Sequence, residues 1–253
     1  MADYKKLANE ARKEVLTLIH KAKTSHIASN FSVIDIATVL YENLKEGDKV
    51  VWSKGWVAAT IYYFLWKQGK ITREQLESFP NEPFFGLAET TVNGVEVNGG
   101  SVGHGLSVAV GMALGKKRAG EKGTVYCIMS DGEVNEGSVW EAVMLASHHK
   151  LNNLVAIIDK NGWQAMGKTE DVVNVNVTRA FNGFDWEVIT GDGHNFDEIE
   201  PSLLTSNRGL PRVFIANTVK GKGVSFMENH LLYHYKDVDE ANYKKAMEEL
   251  CQN

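Results

Sequence analysis

Two side chains with oxygen ligands follow two apolar runs of this chain. Asp131 comes just after the run 125–129, and Asn161 comes just after the run 154–158. A helix-like segment separates the runs, which predicts two neighbouring parallel strands. The carboxyl ends of such strands meet at one edge of the sheet, so we expect Asp131 and Asn161 to converge there. Such a pair suits a hard divalent cation beside a phosphate-bearing cofactor.

The elements that must position this pair alternate along the chain. Strand-like runs interspersed with helix-sized segments predict an α/β fold, with a parallel sheet and helices on both faces. No domain boundary is visible. Strands are predicted at 49–53, 125–129, 154–158, 185–190 and 212–219, and helices at 4–23, 32–41 (with Ser32 as N-cap), 56–67, 106–114, 137–149 and within 229–252.

Composition excludes several classes of protein. The chain has 253 residues, 43% hydrophobic content and a net charge of −5, which argues against a general nucleic-acid binder. Its two cysteines, Cys127 and Cys251, indicate neither a disulfide framework nor a zinc site. The N-terminus lacks an apolar signal core, and no run approaches the length of a membrane span. We therefore expect a cytoplasmic protein without a membrane partner.

From the residues alone, the Asp131 site has a plain alternative. Asp-Gly is a common turn dipeptide, so a strand–turn–helix without a ligand stays open. A Gly-Asp-Gly at 191–193, followed by His194, resembles a diphosphate motif at first sight. No Asn follows it after another strand at a suitable spacing, so we interpret it as a structural loop.

Four stretches match, in order, the motifs of one enzyme family. They are 100–107 (Gly-Ser-Val-Gly-His-Gly-Leu-Ser), 130–137 (Ser-Asp-Gly-Glu-Val-Asn-Glu-Gly), 159–163 (Asp-Lys-Asn-Gly-Trp) and 218–229. On these stretches, the chain resembles the N-terminal, thiamine-diphosphate-binding part of a transketolase. The likeness covers almost the whole chain, which implies that residues 1–253 form a single domain of this type.

The resemblance assigns roles to individual residues. Mg²⁺ prefers six oxygens and usually keeps phosphate oxygens among them. Three ligands from the chain, two diphosphate oxygens and one water would complete that number. The resemblance implies Asp131, Asn161 and the main-chain carbonyl of Trp163 as metal ligands, Gly100, Val102, Gly132, Glu136, Asn161 and His234 as cofactor-binding residues, and His26 and His104 as catalytic residues.

Each of these roles has an ordinary structural alternative. A lone histidine is commonly a surface residue or a satisfied core residue. Glu136, which the resemblance also places at a subunit contact, could be an exposed acid at a helix start. Among the other histidines, His148, His149 and His194 are interpreted as scaffold residues, and His230 is left open.

Two positions depart from the family pattern. Trp56 follows Ser-Lys-Gly, where transketolases usually carry His, and Leu87 stands where they carry a second His. A site that hydrogen-bonds a donor hydroxyl disfavours analogues that lack it. Our hypothesis is that this enzyme uses a less hydroxylated donor, such as pyruvate or a deoxy-ketose, or a specialised acceptor. The alternative is loop drift, with the role met by another residue.

The resemblance also implies a partner. A whole transketolase binds the aminopyrimidine of its cofactor with a second domain, so we expect a separate C-terminal subunit in an α2β2 assembly, with 106–115 and 56–66 as candidate contact surfaces. The expected activity moves a two-carbon ketol or acyl unit from a ketose or 2-oxoacid to an aldehyde-type acceptor. Two alternatives stay open: the α-subunit of a thiamine-dependent 2-oxoacid decarboxylase or carboligase, and a non-catalytic binding subunit.

Overall fold

A parallel sheet forms the centre of the structure, a computed structural model that describes residues 2–165, 167–205 and 209–252. Within these residues, five parallel strands lie in the order β1-β2-β3-β7-β6, and β4 and β5 form a separate antiparallel pair. The strands are β1 (Lys49–Trp52), β2 (Val125–Ser130), β3 (Leu154–Lys160), β4 (Trp163–Gln164), β5 (Gly167–Lys168), β6 (Glu187–Asp192) and β7 (Arg212–Asn217).

Helices cover both faces of this sheet, as predicted. Side chains of β2 alternate: Tyr126 and Ile128 join one hydrophobic core, and Cys127 and Met129 join the other. Strands buried on both faces need continuous apolar runs, which explains the sequence pattern. The helices are α1 (Tyr4–Ala22), α2 (Ile27–Glu42), α3 (Ala58–Lys67), α4 (Arg73–Glu77), α5 (Gly105–Ala119), α6 (Gly137–His148), α7 (Thr169–Val172), α8 (Val177–Gly183), α9 (Phe196–Leu204) and α10 (Glu240–Gln252).

The strand register brings four chain segments to one edge of the sheet. Ser130 pairs with Asp159, so β2 and β3 end side by side. Trp52 pairs with Ile128, and Asn217 pairs with Lys160, so β1 and β7 end at the same edge. The residues that follow these strands therefore meet there, which is where open α/β sheets bind ligands.

The second helix differs from the prediction. α2 begins at Ile27 rather than at Ser32, and Ser32 is not its N-cap. The Ser32 hydroxyl instead donates to Oδ2 of Asp159 at 2.6 Å. Buried Asn30 likewise accepts from the main-chain N–H and the hydroxyl of Thr60, at 3.0 and 2.9 Å. Both polar residues are thus hydrogen-bonded inside the core.

Most of segment 56–66, predicted as a candidate contact surface, is buried within this chain, and only Trp56 and Trp66 at its ends are partly exposed. Helix α3 begins at Ala58, and its residues from Ala58 to Leu65 are buried in the core of this chain. The C-terminal segment contains a short 3-10 helix at Leu231–His234 and then the α-helix α10. None of the helices in the described ranges is long and apolar enough to cross a membrane.

Candidate active site

A cavity of about 480 Å³ opens at the edge where the strands end. It gathers most of the site residues that the sequence predicted, from segments far apart in the chain. Asp131 lies beside it and lines a neighbouring cavity of about 700 Å³, with Trp163 shared by both. The predicted residues that line the smaller cavity are His26, Gly100, Val102, Gly132, Glu136, Asn161, Trp163 and His234.

Asp131 is held in place by the turn that carries Asn161. Its Oδ2 accepts from the N–H of Gly162 at 2.7 Å and from the hydroxyl of Thr169 at 3.2 Å. Burial, reinforced by the negative charge of Asp159, raises the pKa of Asp131 to about 6. A nearby cation would relieve this cost, because it favours the ionised carboxylate.

Asn161 and Trp163 complete the same turn. Oδ1 of Asn161 accepts from the N–H of Trp163 at 3.1 Å, so the turn closes on itself directly after β3. In the described part of the chain, no three His, Cys, Asp or Glu side chains are grouped as a metal cluster. Asp131 and Asn161 thus supply one carboxylate and one side-chain amide at this edge, beside main-chain carbonyls.

Two buried lysines, Lys54 and Lys220, line the cavity. Lys54, two residues after β1, forms an ion pair with Asp159 and also donates to the carbonyl of Ser29 at 3.0 Å. Asp159 accepts further hydrogen bonds from Ser32 and Thr218. Burial raises the pKa of Asp159, but the charge of Lys54 and the hydrogen bonds from Lys54, Ser32 and Thr218 together hold that pKa below its usual range.

The second lysine, Lys220, has no carboxylate partner among the described residues. Its Nζ lies 2.7 Å from Nδ1 of His234. Burial and the charge of Lys54 lower the pKa of Lys220 to about 8. Its ammonium is therefore mostly charged at neutral pH and donates to the histidine, which leaves Nε2–H of His234 as a donor.

The two cavity histidines are neutral near pH 7. The ring of His26 meets the ring of His234 edge-on, with centroids 5.0 Å apart. Burial and the charges of Lys220 and Lys54 lower the pKa of His26 to about 4. Burial, with Lys220, His26 and Lys54, lowers the pKa of His234 to about 3. Both rings can thus accept or donate hydrogen bonds without carrying charge.

Glu133 ties three segments together beneath the cavity. Its Oε1 accepts from the hydroxyl of Ser53 and from the N–H of Gly103, the latter at 3.0 Å. Its Oε2 accepts from the N–H of Ser130 at 3.2 Å. Burial raises the pKa of Glu133 to about 7, in spite of these hydrogen bonds. One carboxylate therefore links the ends of β1 and β2 to the loop before α5.

The loop before α5 needs a glycine at position 103 to pass close to the cavity. Gly103 has φ of +79°, and a Cβ there would lie 2.6 Å from Cβ of Glu136. Glu136 itself is exposed at the start of α6. His104 is exposed too, at the start of α5, and is not among the described residues that line the cavity. The structure does not bring His104 to the other predicted residues.

Apolar and aromatic side chains form a rim of the same cavity. Trp56, Leu87, Val102 and Tyr235 line it, and the last three side chains are exposed. Three of the four, with His26, also line a further cavity of about 680 Å³. We call Trp56, Leu87, Val102 and Tyr235 the substrate end, and Asp131, Asn161, Trp163, Lys220 and His234 the metal–diphosphate end.

Sequence reasoning did not assign roles to Lys54, Asp159, Lys220 or Glu133. A signal existed for two of them: Asp159 directly follows the apolar run 154–158, and Lys54 comes shortly after the apolar strand β1. A charge at such a position needs a buried partner. The partner could not be identified, because Lys54 and Asp159 lie 105 positions apart.

Comparisons with known proteins agree with this arrangement. Residues 4–253 match the family described as transketolase, thiamine diphosphate binding domain. One apulose-4-phosphate transketolase subunit, from Phocaeicola vulgatus, is 34% identical over 256 residues, covering 95% of this chain and 91% of the relative. A 6-deoxy-6-sulfo-D-fructose transketolase subunit from a Clostridium species is also 34% identical, covering 98% and 96%.

The fold of this chain also matches that of a solved transketolase. The crystal structure of transketolase from Campylobacter jejuni superimposes with a TM-score of 0.92 at 30% identity over 96% of this chain. This chain spans 42% of the length of that transketolase. On the family match and these relatives, the chain belongs to the transketolase family of transferases and corresponds to the subunit with the thiamine-diphosphate-binding domain.

Proposed function

We propose that this chain binds Mg²⁺ and the diphosphate of thiamine diphosphate, and works with a second subunit to transfer a two-carbon ketol unit from a donor to an aldehyde-type acceptor. Its residues 1–253 would form one cofactor-binding domain. The observation that carries the proposal is the cavity at the strand ends, which eight predicted site residues line together.

The metal–diphosphate end fits a magnesium ion. Asp131, Asn161 and the main-chain carbonyl of Trp163 are hard oxygen donors, the type that Mg²⁺ prefers. The raised pKa of Asp131 supports the assignment, because it marks a buried carboxylate that a cation would stabilise. One negative charge from the chain leaves the ion positive enough to hold a diphosphate.

The same end fits an anion. Lys220 is buried and forms no ion pair with a carboxylate within the described ranges, and the charges of Asp159 and Asp131 offset only part of the cost of its burial, since its pKa is still lowered. An incompletely compensated buried cation is costly, and an anionic ligand would remove the cost. Lys220 and Nε2–H of His234 would bind the diphosphate, while Lys54 is already neutralised by Asp159.

The chain's part in catalysis follows from these contacts. Thiamine diphosphate, when bound, supplies the nucleophilic carbon that carries the two-carbon unit. His26, neutral and in the same cavity, would exchange a proton with the substrate. Glu133 fixes the loop of Gly100 and Val102, and that loop would lie against the cofactor ring. The catalytic role of His104 stays a prediction.

A partner subunit is part of the proposal. The two bacterial relatives are named as subunits, which supports a second chain. Exposed Val102 and Leu87 border the cavity, and exposed apolar groups of this kind favour a contact. Glu136, exposed beside the loop of Gly103, would face the partner. The α2β2 stoichiometry and the cytoplasmic location stay predictions.

The substrate end supports a narrower proposal about the donor. Trp56 and Leu87 give the cavity rim an apolar surface, which would favour a less hydroxylated donor. The relatives are named for unusual ketoses, one for apulose 4-phosphate and one for a 6-deoxy-6-sulfo sugar, which supports an unusual donor here. The same apolar surface favours a second candidate, decarboxylation of a 2-oxoacid such as pyruvate.

Reconstitution with a partner tests these proposals. The chain should be purified with the C-terminal transketolase subunit encoded nearest to it. The complex should then be given Mg²⁺, thiamine diphosphate and an aldehyde acceptor, with either a panel of ketose phosphates or pyruvate. We expect chain-lengthened product from a ketose donor, and no product when one of the two subunits is left out. Carbon dioxide release from pyruvate without ketol transfer would favour the decarboxylase instead.

A further inference from the structure

A polar pair outside the active-site cavity, with Asp35 buried and His194 partly buried, contacts the loop that carries Lys220. Asp35 lies in α2, and His194 lies in the Gly-Asp-Gly-His turn after β6 that sequence analysis set aside as structural. Nδ1 of His194 is 2.7 Å from Oδ2 of Asp35. Nε2 of His194 is 2.8 Å from the main-chain nitrogen of Val219, the residue before Lys220.

The partners determine the protonation of His194. The N–H of Val219 can only donate, so Nε2 must be the acceptor and the ring must carry its proton on Nδ1. That proton is donated to Asp35. Burial raises the pKa of Asp35, but the charge of Arg12 and the hydrogen bonds from His194 and Arg12 outweigh it and hold that pKa below its usual value. The neutral ring is thus fixed between a carboxylate and one main-chain N–H.

The loop after β7 is also held by contacts on either side of Val219, among them the hydrogen bond of the Thr218 hydroxyl to Asp159. Thr218 N–H donates to the carbonyl of Lys160 at 3.1 Å, and Gly221 N–H donates to the carbonyl of Ala28 at 2.9 Å. Nε of Arg12 donates to the carbonyl of Lys222 at 3.0 Å. His194 supplies the side-chain contact next to Lys220.

We infer that His194, oriented by Asp35, is a positioning residue that fixes Val219 and thereby aims Lys220 at the diphosphate. The inference rests on the proposed function, because it assumes that Lys220 binds that diphosphate. His194 is not among the described residues that line the active-site cavity, so it acts through the loop alone. This role requires a hydrogen-bond acceptor at the position of Nε2, within reach of the Val219 N–H.

Two substitutions separate this role from general stability. In His194→Asn, the amide lies near Nδ1, so it can still contact Asp35 but does not reach Val219. In His194→Gln, the longer side chain places an amide oxygen near Nε2, where it accepts from Val219. His148→Asn, at an exposed position on α6, is the matched control. All variants are measured in complex with the partner subunit, with thermal unfolding as a check of folding.

The first measurement is the affinity for thiamine diphosphate with Mg²⁺, by calorimetric titration. We expect His194→Asn to weaken it about tenfold, the usual size of one lost buried hydrogen bond. His194→Gln should stay within about threefold of wild type. Turnover at saturating cofactor should change by less than about twofold in both, because the loss lies in binding. The second measurement is hydrogen exchange at the Val219 amide without cofactor, which should accelerate in His194→Asn only.

Distinct results would overturn the inference. Slow Val219 exchange in His194→Asn would show that the hydrogen bond does not hold the loop. Equal affinity losses in the Asn and Gln variants, or an unchanged affinity in both, would show that the contact does not position Lys220. A wild-type complex that binds no thiamine diphosphate, while Val219 exchange still depends on His194, would overturn the proposed function but support the role of His194 in holding the loop.

Discussion

The two ends of the cavity are built in different ways. At the metal–diphosphate end, Asp131 is 4% exposed and Lys220 is 1% exposed, and both have defined hydrogen-bond partners. At the substrate end, Leu87 is 41% exposed and Tyr235 is 59% exposed. The first end is buried, polar and fixed, whereas the second is open and apolar.

The difference follows from the elements that carry each end. Asp131, Asn161 and Lys220 follow strands of one hydrogen-bonded sheet, so the strand register fixes their relative positions. Leu87 and Val102 lie in the long connection between α4 and α5, where the sheet imposes no register. A cofactor common to a family needs the fixed end, while the loop is free to change with the substrate.

The strongest test of the metal–diphosphate end is the removal of the Asp131 carboxylate. Asp131→Ala should reduce the Mg²⁺-dependent affinity for thiamine diphosphate by about 100-fold or more, because a metal ligand contributes more than an outer-shell partner. Cofactor retention after gel filtration measures the effect. Asp197→Ala, an exposed aspartate on α9, is the control. Unchanged retention in Asp131→Ala would contradict the ligand assignment.

Lys220→Met should affect binding and stability in opposite directions. We expect cofactor affinity to fall by about 10- to 100-fold, since the diphosphate loses a charged donor. The free chain should unfold at an equal or higher temperature, because a buried, unpaired charge has been removed. Titration and thermal unfolding measure the two effects. Lys222→Met, in the same loop, should leave affinity unchanged. A large loss of stability in Lys220→Met would argue for a structural lysine.

Substitutions at the substrate end should change the donor preference of the complex but not its affinity for the cofactor. Trp56→His combined with Leu87→His should raise kcat/KM for xylulose 5-phosphate by about tenfold, because polar groups then meet the donor hydroxyls. Cofactor affinity should stay within about twofold of wild type. Steady-state assays of the complex test this. An unchanged donor preference would support loop drift, with another residue meeting the role.

A smaller change in the affinity for thiamine diphosphate is expected from a change in pH. Burial and Lys54 lower the pKa of Lys220 to about 8, and the bound diphosphate would favour its charged form. Binding is therefore strongest below that pKa and weakens as pH rises through it. Between pH 7 and pH 8.5, we expect the affinity to fall about fourfold. This fall in affinity with pH should be absent in Lys220→Met. If the affinity of that variant still falls between pH 7 and pH 8.5, another group is responsible for the pH dependence.

Sequence patterns predicted the sheet and the ends of its strands well. The apolar runs before Asp131 and Asn161 correspond to β2 and β3, since strands buried on both faces leave a continuous signal. The start of α2 was missed, because buried Ser29 and Asn30 look like loop residues until their partners are known. Their hydrogen bonds depend on tertiary contacts that local pattern does not contain.

Lys220 and His194 show the same limit of prediction from local sequence. Lys220 lies in a stretch that sequence analysis quoted, yet its importance depends on its burial near Lys54 and on the lack of a carboxylate partner in the described chain. His194 was interpreted as scaffold, and only the structure shows that it contacts Val219. Residues that act by position relative to distant segments cannot be assigned from spacing.

The central claim is that this chain forms the metal–diphosphate half of a thiamine diphosphate site. Calorimetric titration of the reconstituted complex with thiamine diphosphate, with Mg²⁺ and then with the metal chelated, tests it most directly. We predict saturable binding with Mg²⁺ and its loss on chelation, since Asp131, Asn161 and Trp163 would hold the diphosphate only through the ion. No binding with Mg²⁺ present, or equal binding without any divalent metal, would contradict the account.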